Sequence, residues 1–426
     1  MPRWCWVILG VAASGCSTHR YLSVPLHKAE KDFKDHIGMV LYDPISRKTI
    51  YEHQGDRYFT PASNIKIFTF YSSLQLLGDS IPALRYIQRD DSLIFWGTGD
   101  PSFLYENTYK EGRVYNFLKD RPEKLFFSSS NFQTKYFGPG WGWDDYNESY
   151  QVEKTPFPMY GNRSTVRQNG GTLQSYPPVF KYAPVDTSLL RERSVLSRAI
   201  DSNVLNYSPG RNGSTEWTMP FHGSDELVSK LLADTLKKEV NVISRRLPSE
   251  AKTFYSVPAD SLYKVMMQAS DNFIAEQLLM MCASAVSDTL KPEIAIEYVK
   301  KKFLFDLPDK PVWVDGSGLS RYNLLTPRSI VRLWEKIYAI VPRERLFFLL
   351  SVGGESGTLK NYYKAEKRFI VGKTGTLANN HSLSGFLVTK RGRTFIFSWM
   401  NNNFTTPTGE VRARMETVLK NIYEKY

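Results

Sequence analysis

The stretch "RFIVGKTGTLANNHSLSGFLVTKRGRTFIFSWMNN" (368–402) reads as three successive β-strands, at 368–376, 381–390 and 393–402. The last two are joined by a tight turn at Arg391–Gly392. Two more strands are expected near the start of the chain, "HIGMVLYDP" (36–44) and "KTIYEHQ" (48–54), linked around Asp43–Pro44 and Ser46. A closing helix from about Gly409 carries Val411, Met415, Val418, Leu419 and Ile422, the spacing of one buried face. Further helices are read at 269–286 and 326–341. Five strands supplied by both ends of the chain, with helices packed on them, describe an α+β domain.

Working outward, residues 83–249 differ in texture. They are rich in Gly, Pro, Asn, Ser and Tyr, with short strand-like runs such as "SLIFWGTGD" and "KLFFSSSNF". Their aromatic content is too high for a disordered linker, so a mainly β insertion is expected. The resulting division is 1–22 as a leader region, 23–82 with 250–426 as one domain, and 83–249 inserted between its halves.

The leader, "MPRWCWVILGVAASGCSTHR", has an apolar run too short to span a bilayer as a stable helix. "AASGC" resembles the lipobox of a bacterial lipoprotein, in which Cys16 would become the acylated first residue. The alternative is an ordinary secretory signal in which Cys16 carries nothing. Both export the protein, to the periplasm. Of three cysteines this leaves Cys282 alone, in the apolar run "LLMMCASA", as a core residue without a disulfide partner. The net charge of +12 would suit an anionic partner, but the basic residues are scattered and form no nucleic-acid motif; nucleic acid is not expected.

The helix in "FTPASNIKIFTFYSSLQLLG" (59–78) is apolar on more than one face, yet its first turn holds Ser63 and Lys66. Thr60 is read as its N-cap and Pro61 as its first helical residue. Ser63 would then sit among backbone N–H groups that lack partners within the helix, at the positive end of its dipole. Lys66, three positions on, shares its face and would be a competent base once burial removes its proton.

S-x-x-K alone is a weak signal, since "SEAK" (249–252) and "SLYK" (261–264) also match. So is "SDN" (Ser270–Asp271–Asn272), because "SSN" at 129–131 fits S-x-N. "KTG", Lys373–Thr374–Gly375, lies in an expected strand; there Lys373 offers a cation and Gly375 leaves room for a ligand backbone. In order, with 103 residues from Ser270 to Lys373, the three form the signature of penicillin-interacting serine enzymes.

"GTGDPSF" (97–103), "GPGWGWDD" (138–145), "DGSGLSRYNLLTPRS" (315–329), "GGESGTLKN" (353–361) and "GKTGTLANNHSLSGF" (372–386) narrow this further. Together they resemble the D-alanyl-D-alanine carboxypeptidase/endopeptidase family known as penicillin-binding protein 4, peptidase family S13, over nearly everything from residue 30 onward. The resemblance implies a serine β-lactamase/DD-peptidase-like domain carrying an insertion between the first two motifs. It also implies a nucleophile, Ser63, deprotonated by Lys66, with Ser270 relaying a proton to the leaving amine and Asn272 holding the substrate amide. Lys373 would join the electrostatic set of the cleft, and Thr374 and Thr376 would meet the terminal carboxylate. The N–H groups of Ser63 and Thr376 would form the oxyanion hole.

Asp145 and Arg321 match positions that contact the stem peptide's diamino acid, the alternatives being a turn residue and a structural ion pair. Ala378 is small and apolar where relatives often carry a polar residue. The partners implied are peptidoglycan stem peptides, β-lactams as covalent inhibitors and, through Cys16, a membrane. No cofactor or metal is expected; the six histidines include no H-E-x-x-H pair. Two competing readings are a serine β-lactamase, against which stands the lack of an E-x-x-L-N loop, and a non-catalytic wall-binding or β-lactam-sensing lipoprotein.

Overall fold

The computed structural model describes residues 22–108, 112–169, 172–185, 191–212 and 216–426. The leader and Cys16 lie outside the described residues. No helix of the described residues is long and apolar enough to cross a membrane.

One antiparallel sheet organises the catalytic body. Its strands run in the order Ser351–Val352, Ile370–Leu377, Asn380–Val388, Thr394–Asn402, His36–Asp43 and Lys48–His53. The five expected strands are present within two residues of their expected bounds. The sixth, a two-residue edge strand, is too short to carry an alternating pattern and was not foreseen. The chain's two ends meet in the middle of the sheet, His36 pairing with Asn402 and Tyr42 with Ile396.

Both faces of the sheet are covered, and the period of two sorts the side chains between them. Phe395, Phe397 and Trp399 point into a core shared with Leu22, Leu26, Val411, Met415 and Leu419, from a helix at 22–33 and the C-terminal helix Thr408–Lys425. Ile396 and Met400 point the other way, into a core with Ile67, Phe68, Leu278, Leu279 and Trp334. That second layer holds the helices Lys66–Leu76, Asn272–Ser287 and Pro327–Ile340. Emptying one such position, Phe397 for example, by truncation to Ala would cost roughly 3–5 kcal/mol. Cys282 is a fully buried free thiol within the Asn272–Ser287 helix.

The segment between the two halves builds its own five-stranded sheet, in the order Val240–Val242, Lys124–Phe127, Ser92–Gly97, Ser80–Arg89 and Lys252–Pro258. Its entering strand Ser80–Arg89 pairs antiparallel with its leaving strand Lys252–Pro258, which brings the chain back to the body where it left. Two small three-stranded sheets and a two-stranded one, Gly210–Asn212 with Arg191–Arg193, complete the described insertion around a separate core that includes Phe95, Phe127, Phe157 and Leu232.

Candidate active site

Ser63 does not sit inside the long helix. Residues Ala62–Ile65 form a 3-10 turn, and the α-helix begins at Lys66. Ala62, with φ of +48°, breaks the helical path, and neither Thr60 nor any other side chain caps this end. The turn is held from outside instead. Asn64 is fully buried and donates to Ser382 Oγ (2.9 Å) and the Lys373 carbonyl (3.2 Å), while Ser384 Oγ donates to its Oδ1 (2.5 Å). Ser382 Oγ in turn donates to the Pro61 carbonyl (2.7 Å). Ser63 is thus pinned against the strand Ile370–Leu377 by three polar side chains whose roles sequence patterns did not reveal.

Gly375 makes room for a neighbouring part of the chain. A Cβ there would lie 2.6 Å from the Pro61 carbonyl oxygen and 2.8 Å from the Ser63 nitrogen. The missing side chain admits the turn that carries Ser63, and brings the strand backbone against the Ser63 nitrogen.

Lys66 is completely buried and has three acceptors around its Nζ: Ser63 Oγ at 3.0 Å, Asn272 Oδ1 at 2.6 Å and the Ser317 carbonyl at 2.6 Å. Burial pushes its pKa down to about 8, against the opposing pull of Asp315, Glu276 and Asp271. A neutral amine has two N–H bonds and one lone pair. Donating to Asn272 and Ser317 leaves the lone pair for the Ser63 hydroxyl.

Asn272 opens its helix behind Asp271, whose side chain accepts from the Ile274 N–H (2.9 Å) as the N-cap. Ser270 precedes it with φ of +59°, a left-handed position that turns the chain into the cleft. Lys373 Nζ donates to Ser270 Oγ (2.8 Å) and the Thr374 carbonyl (2.7 Å). Lys373 is also completely buried, and burial together with Lys66 pushes its pKa well below the usual lysine value. Burial thus works against a charge on Lys373 and holds its amine against Ser270.

A cation at the cleft that the motifs missed is Arg412, half-buried on the C-terminal helix. It donates to Thr376 Oγ1 (3.3 Å) and to Tyr362 OH (3.1 Å), and its guanidinium lies over the Tyr362 ring. Thr376 Oγ1 also lies 2.8 Å from His381 Nδ1. His381 is buried, and burial drives its pKa down to about 3, so the ring is neutral. Thr374 Oγ1 donates to Thr358 Oγ1 (2.7 Å). Ser63, Ser270, Thr358, Tyr362, Thr374, Thr376, His381 and Arg412 all line one cavity of about 210 Å³. An arginine forty residues past the last motif had no sequence signal; it reaches the site because the final helix packs on the sheet.

Asp145 and Arg321 do not line that cavity. Asp145 lies in the 3-10 turn Trp143–Asn147; burial first, and then the nearby Asp145 carboxylate, push the Tyr150 phenol up to about 12, while the Tyr150 carbonyl accepts from Asn272 Nδ2 (3.0 Å). Arg321 reaches the Ala378 carbonyl (3.2 Å), just past the Ile370–Leu377 strand. On the far side of Ser270–Asn272 a larger cavity of about 790 Å³ opens, lined also by Tyr105, Arg113, Tyr150, Arg163 and Tyr176 of the insertion.

The family model described as the D-Ala-D-Ala carboxypeptidase 3 (S13) family matches residues 23–422. The D-alanyl-D-alanine carboxypeptidase DacB of Haemophilus influenzae is 20% identical, the alignment covering 91% of this chain and 90% of that protein. The penicillin-sensitive carboxypeptidase A of Dictyostelium discoideum is 23% identical over 78% of this chain and 74% of its own. The crystal structure of penicillin-binding protein 4 (dacB) from Haemophilus influenzae superposes with a TM-score of 0.74 at 21% identity, covering 91% of this chain and 96% of that one. The same protein complexed with a β-lactam gives a TM-score of 0.68 at 20% identity, covering 91% and 95%. With its motifs gathered in one cleft and its fold shared with these structures, the chain belongs to the D-Ala-D-Ala carboxypeptidase 3 (S13) family.

Proposed function

We propose that this protein hydrolyses the terminal D-Ala–D-Ala bond of peptidoglycan stem peptides through an acyl-Ser63 intermediate. The observation that carries the roles is the Ser63 Oγ–Lys66 Nζ hydrogen bond of 3.0 Å at an amine whose pKa burial brings down to about 8. In acylation Lys66 takes the hydroxyl proton as Ser63 Oγ bonds to the carbonyl carbon of the penultimate D-alanine. The oxyanion is received by the N–H groups of Ser63 and Thr376, which the close approach at Gly375 supports.

Collapse breaks the C–N bond, and Ser270 hands its proton to the departing D-alanine amine. Ser270 regains a proton from the one Lys66 took from Ser63, which returns Lys66 to the neutral amine, while Lys373, 2.8 Å away, holds the Ser270 hydroxyl in place. Water then repeats the attack, giving up a proton to Lys66, and releases the shortened peptide with Ser63 restored. The terminal carboxylate is received by Thr374, Thr376 and Arg412 at the cavity wall. Asn272 holds the substrate amide while its Oδ1 fixes Lys66.

The same serine would be acylated by β-lactams, and cleavage of D-Ala–diamino acid cross-links would use the same residues. Asp145 and Arg321 would meet the diamino acid, Arg321 from beside Ala378. The division into 23–82 with 250–426 around an inserted 83–249 belongs to this reading. The strand pair Ser80–Arg89 and Lys252–Pro258, which joins the insertion's sheet, supports that division with its bounds drawn outward by a few residues on each side. Export to the periplasm with a lipid on Cys16 completes it; labelling with a fatty-acid probe that Cys16→Ser abolishes is the test.

The deciding experiment is mass spectrometry of the purified protein after incubation with penicillin, beside Ser63→Ala. A covalent adduct on the peptide containing Ser63, absent from the variant, is expected, with D-alanine released from a pentapeptide. Well-folded protein that forms no adduct and releases no D-alanine would overturn the reading in favour of a non-catalytic wall-binding role.

A further inference from the structure

Away from the cleft, two histidines and a carboxylate converge where the 22–33 helix meets the edge of the main sheet. His27 and Glu30 lie three positions apart on one face of that helix, and His53 is the last residue of the edge strand Lys48–His53. One ligand atom from each residue can be chosen so that all three lie within 4.8 Å of one another. His53 Nε2 is 3.2 Å from Glu30 Oε2, and His27 Nδ1 is 3.7 Å from the same oxygen. First-row metals with bonds of about 2.0–2.1 Å in tetrahedral geometry set neighbouring ligand atoms roughly 3.3–3.4 Å apart. Two edges of the triangle bracket that value.

The carboxylate is already oriented for such a role. Glu30 Oε1 accepts from the Ile37 N–H (3.1 Å) and from Gln54 Nε2 (2.7 Å), which leaves Oε2 turned toward the two imidazoles. Hydrogen bonds to the non-ligating oxygen are how proteins hold a metal-binding carboxylate in place. His53 and Glu30 are largely shielded, whereas His27 is two-thirds exposed and can swing to complete the set. A simple His–Glu ion pair would use one imidazole; here two compete for one oxygen.

We propose that His27, Glu30 and His53 form a structural site for a divalent first-row metal, zinc by the borderline character of its ligands, with a fourth position open to water. The metal would clip the 22–33 helix to the sheet edge. Leu22, Leu26, Ala29 and Phe33 already dock that helix on the core, so the clip reinforces an existing contact. None of the three ligands lines the catalytic cavity, so the site acts on the N-terminal helix and leaves the serine chemistry alone.

The test is zinc binding to the purified protein, by calorimetry and by competition with a chromogenic chelator at neutral pH. One equivalent of Zn2+ is expected to bind, with X-ray absorption reporting two imidazoles and one carboxylate at about 2.0 Å. His27→Ala, at an exposed position that the fold does not need, should lower zinc affinity at least tenfold while leaving penicillin acylation of Ser63 unchanged. Zinc should also slow tryptic cleavage after Lys28, Lys31 and Lys34 in the parent protein and not in the variant. Stoichiometric binding that His27→Ala and Glu30→Gln both leave intact would overturn the assignment, as would absence of stoichiometric binding by well-folded parent protein.

Discussion

Asn272 Oδ1 accepts a 2.6 Å hydrogen bond from Lys66 Nζ, and through it the second motif orients the lysine of the first. The amide is neutral, so it orients the lysine without supplying the negative charge that would keep it protonated. Its Nδ2 is committed to the Tyr150 carbonyl, which leaves Oδ1 facing the amine.

Acylation should therefore follow the neutral form of Lys66. Its folded pKa of about 8 lies below the ordinary 10.5, so the second-order rate with penicillin should climb with pH and level off above about 8. Asn272→Asp puts a carboxylate against the amine, favouring the ammonium, and should move the midpoint upward. Asn272→Ala removes an acceptor and should move it downward while lowering the plateau. Stopped-flow acylation between pH 6 and 10 reads all three, and identical midpoints would refute the coupling. The same depression has a consequence for stability. Between about 8 and 10.5 the unfolded chain binds the extra proton, so this residue makes the fold more stable as pH rises through that window.

Gly375→Ala should damage catalysis through the nucleophile. Its Cβ would press on the Pro61 carbonyl and the Ser63 nitrogen, and both neighbours are backbone that must shift bodily. Penicillin acylation should fall by more than roughly tenfold, since sub-ångström misplacement is enough for that. Gly409→Ala, with nothing within 4 Å of its new Cβ, is the matched control and should leave the rate untouched.

Arg412→Ala should weaken recognition of the substrate's carboxylate. Charge-assisted hydrogen bonds contribute about 1.5–3 kcal/mol, so KM for a pentapeptide should rise roughly 10- to 100-fold with kcat largely kept. A peptide ending in a carboxamide should show no such change. Equal losses on both peptides would instead mean that Arg412 serves only to hold Tyr362 and Thr376.

Cys282 should be inert in the native protein. The thiol is fully buried and its pKa is pushed up to about 12, with Ser73 Oγ 3.7 Å away as its polar neighbour. A thiol reagent should titrate none of it natively at pH 8 and one equivalent in denaturant, given the processed chain without its leader.

Much of the site was legible because its parts are local. Ser63 and Lys66 are neighbours on one turn, Asp271 caps the helix that Asn272 opens, and the alternation of Phe395, Ile396, Phe397 and Trp399 declares a strand covered on both faces. The order and spacing of three short motifs then marked the family, since each alone is common and the combination is rare. The helix start was misread for a physical reason: Thr60–Pro61 has the chemistry of a cap, but Asn64, Ser382 and Ser384 hold the chain in a different turn.

By itself, then, the sequence determined the α+β architecture, the Ser63–Lys66 pair proposed as nucleophile and base, and the strand that faces them. Only the tertiary structure decided that Gly375 makes room for Ser63's own turn, that burial works against a charge on Lys373, and that Arg412 reaches the cavity wall. Those properties depend on burial and on contacts between residues far apart in the chain. Desolvation belongs to the packed environment around an amine, and no local pattern of residue types carries it.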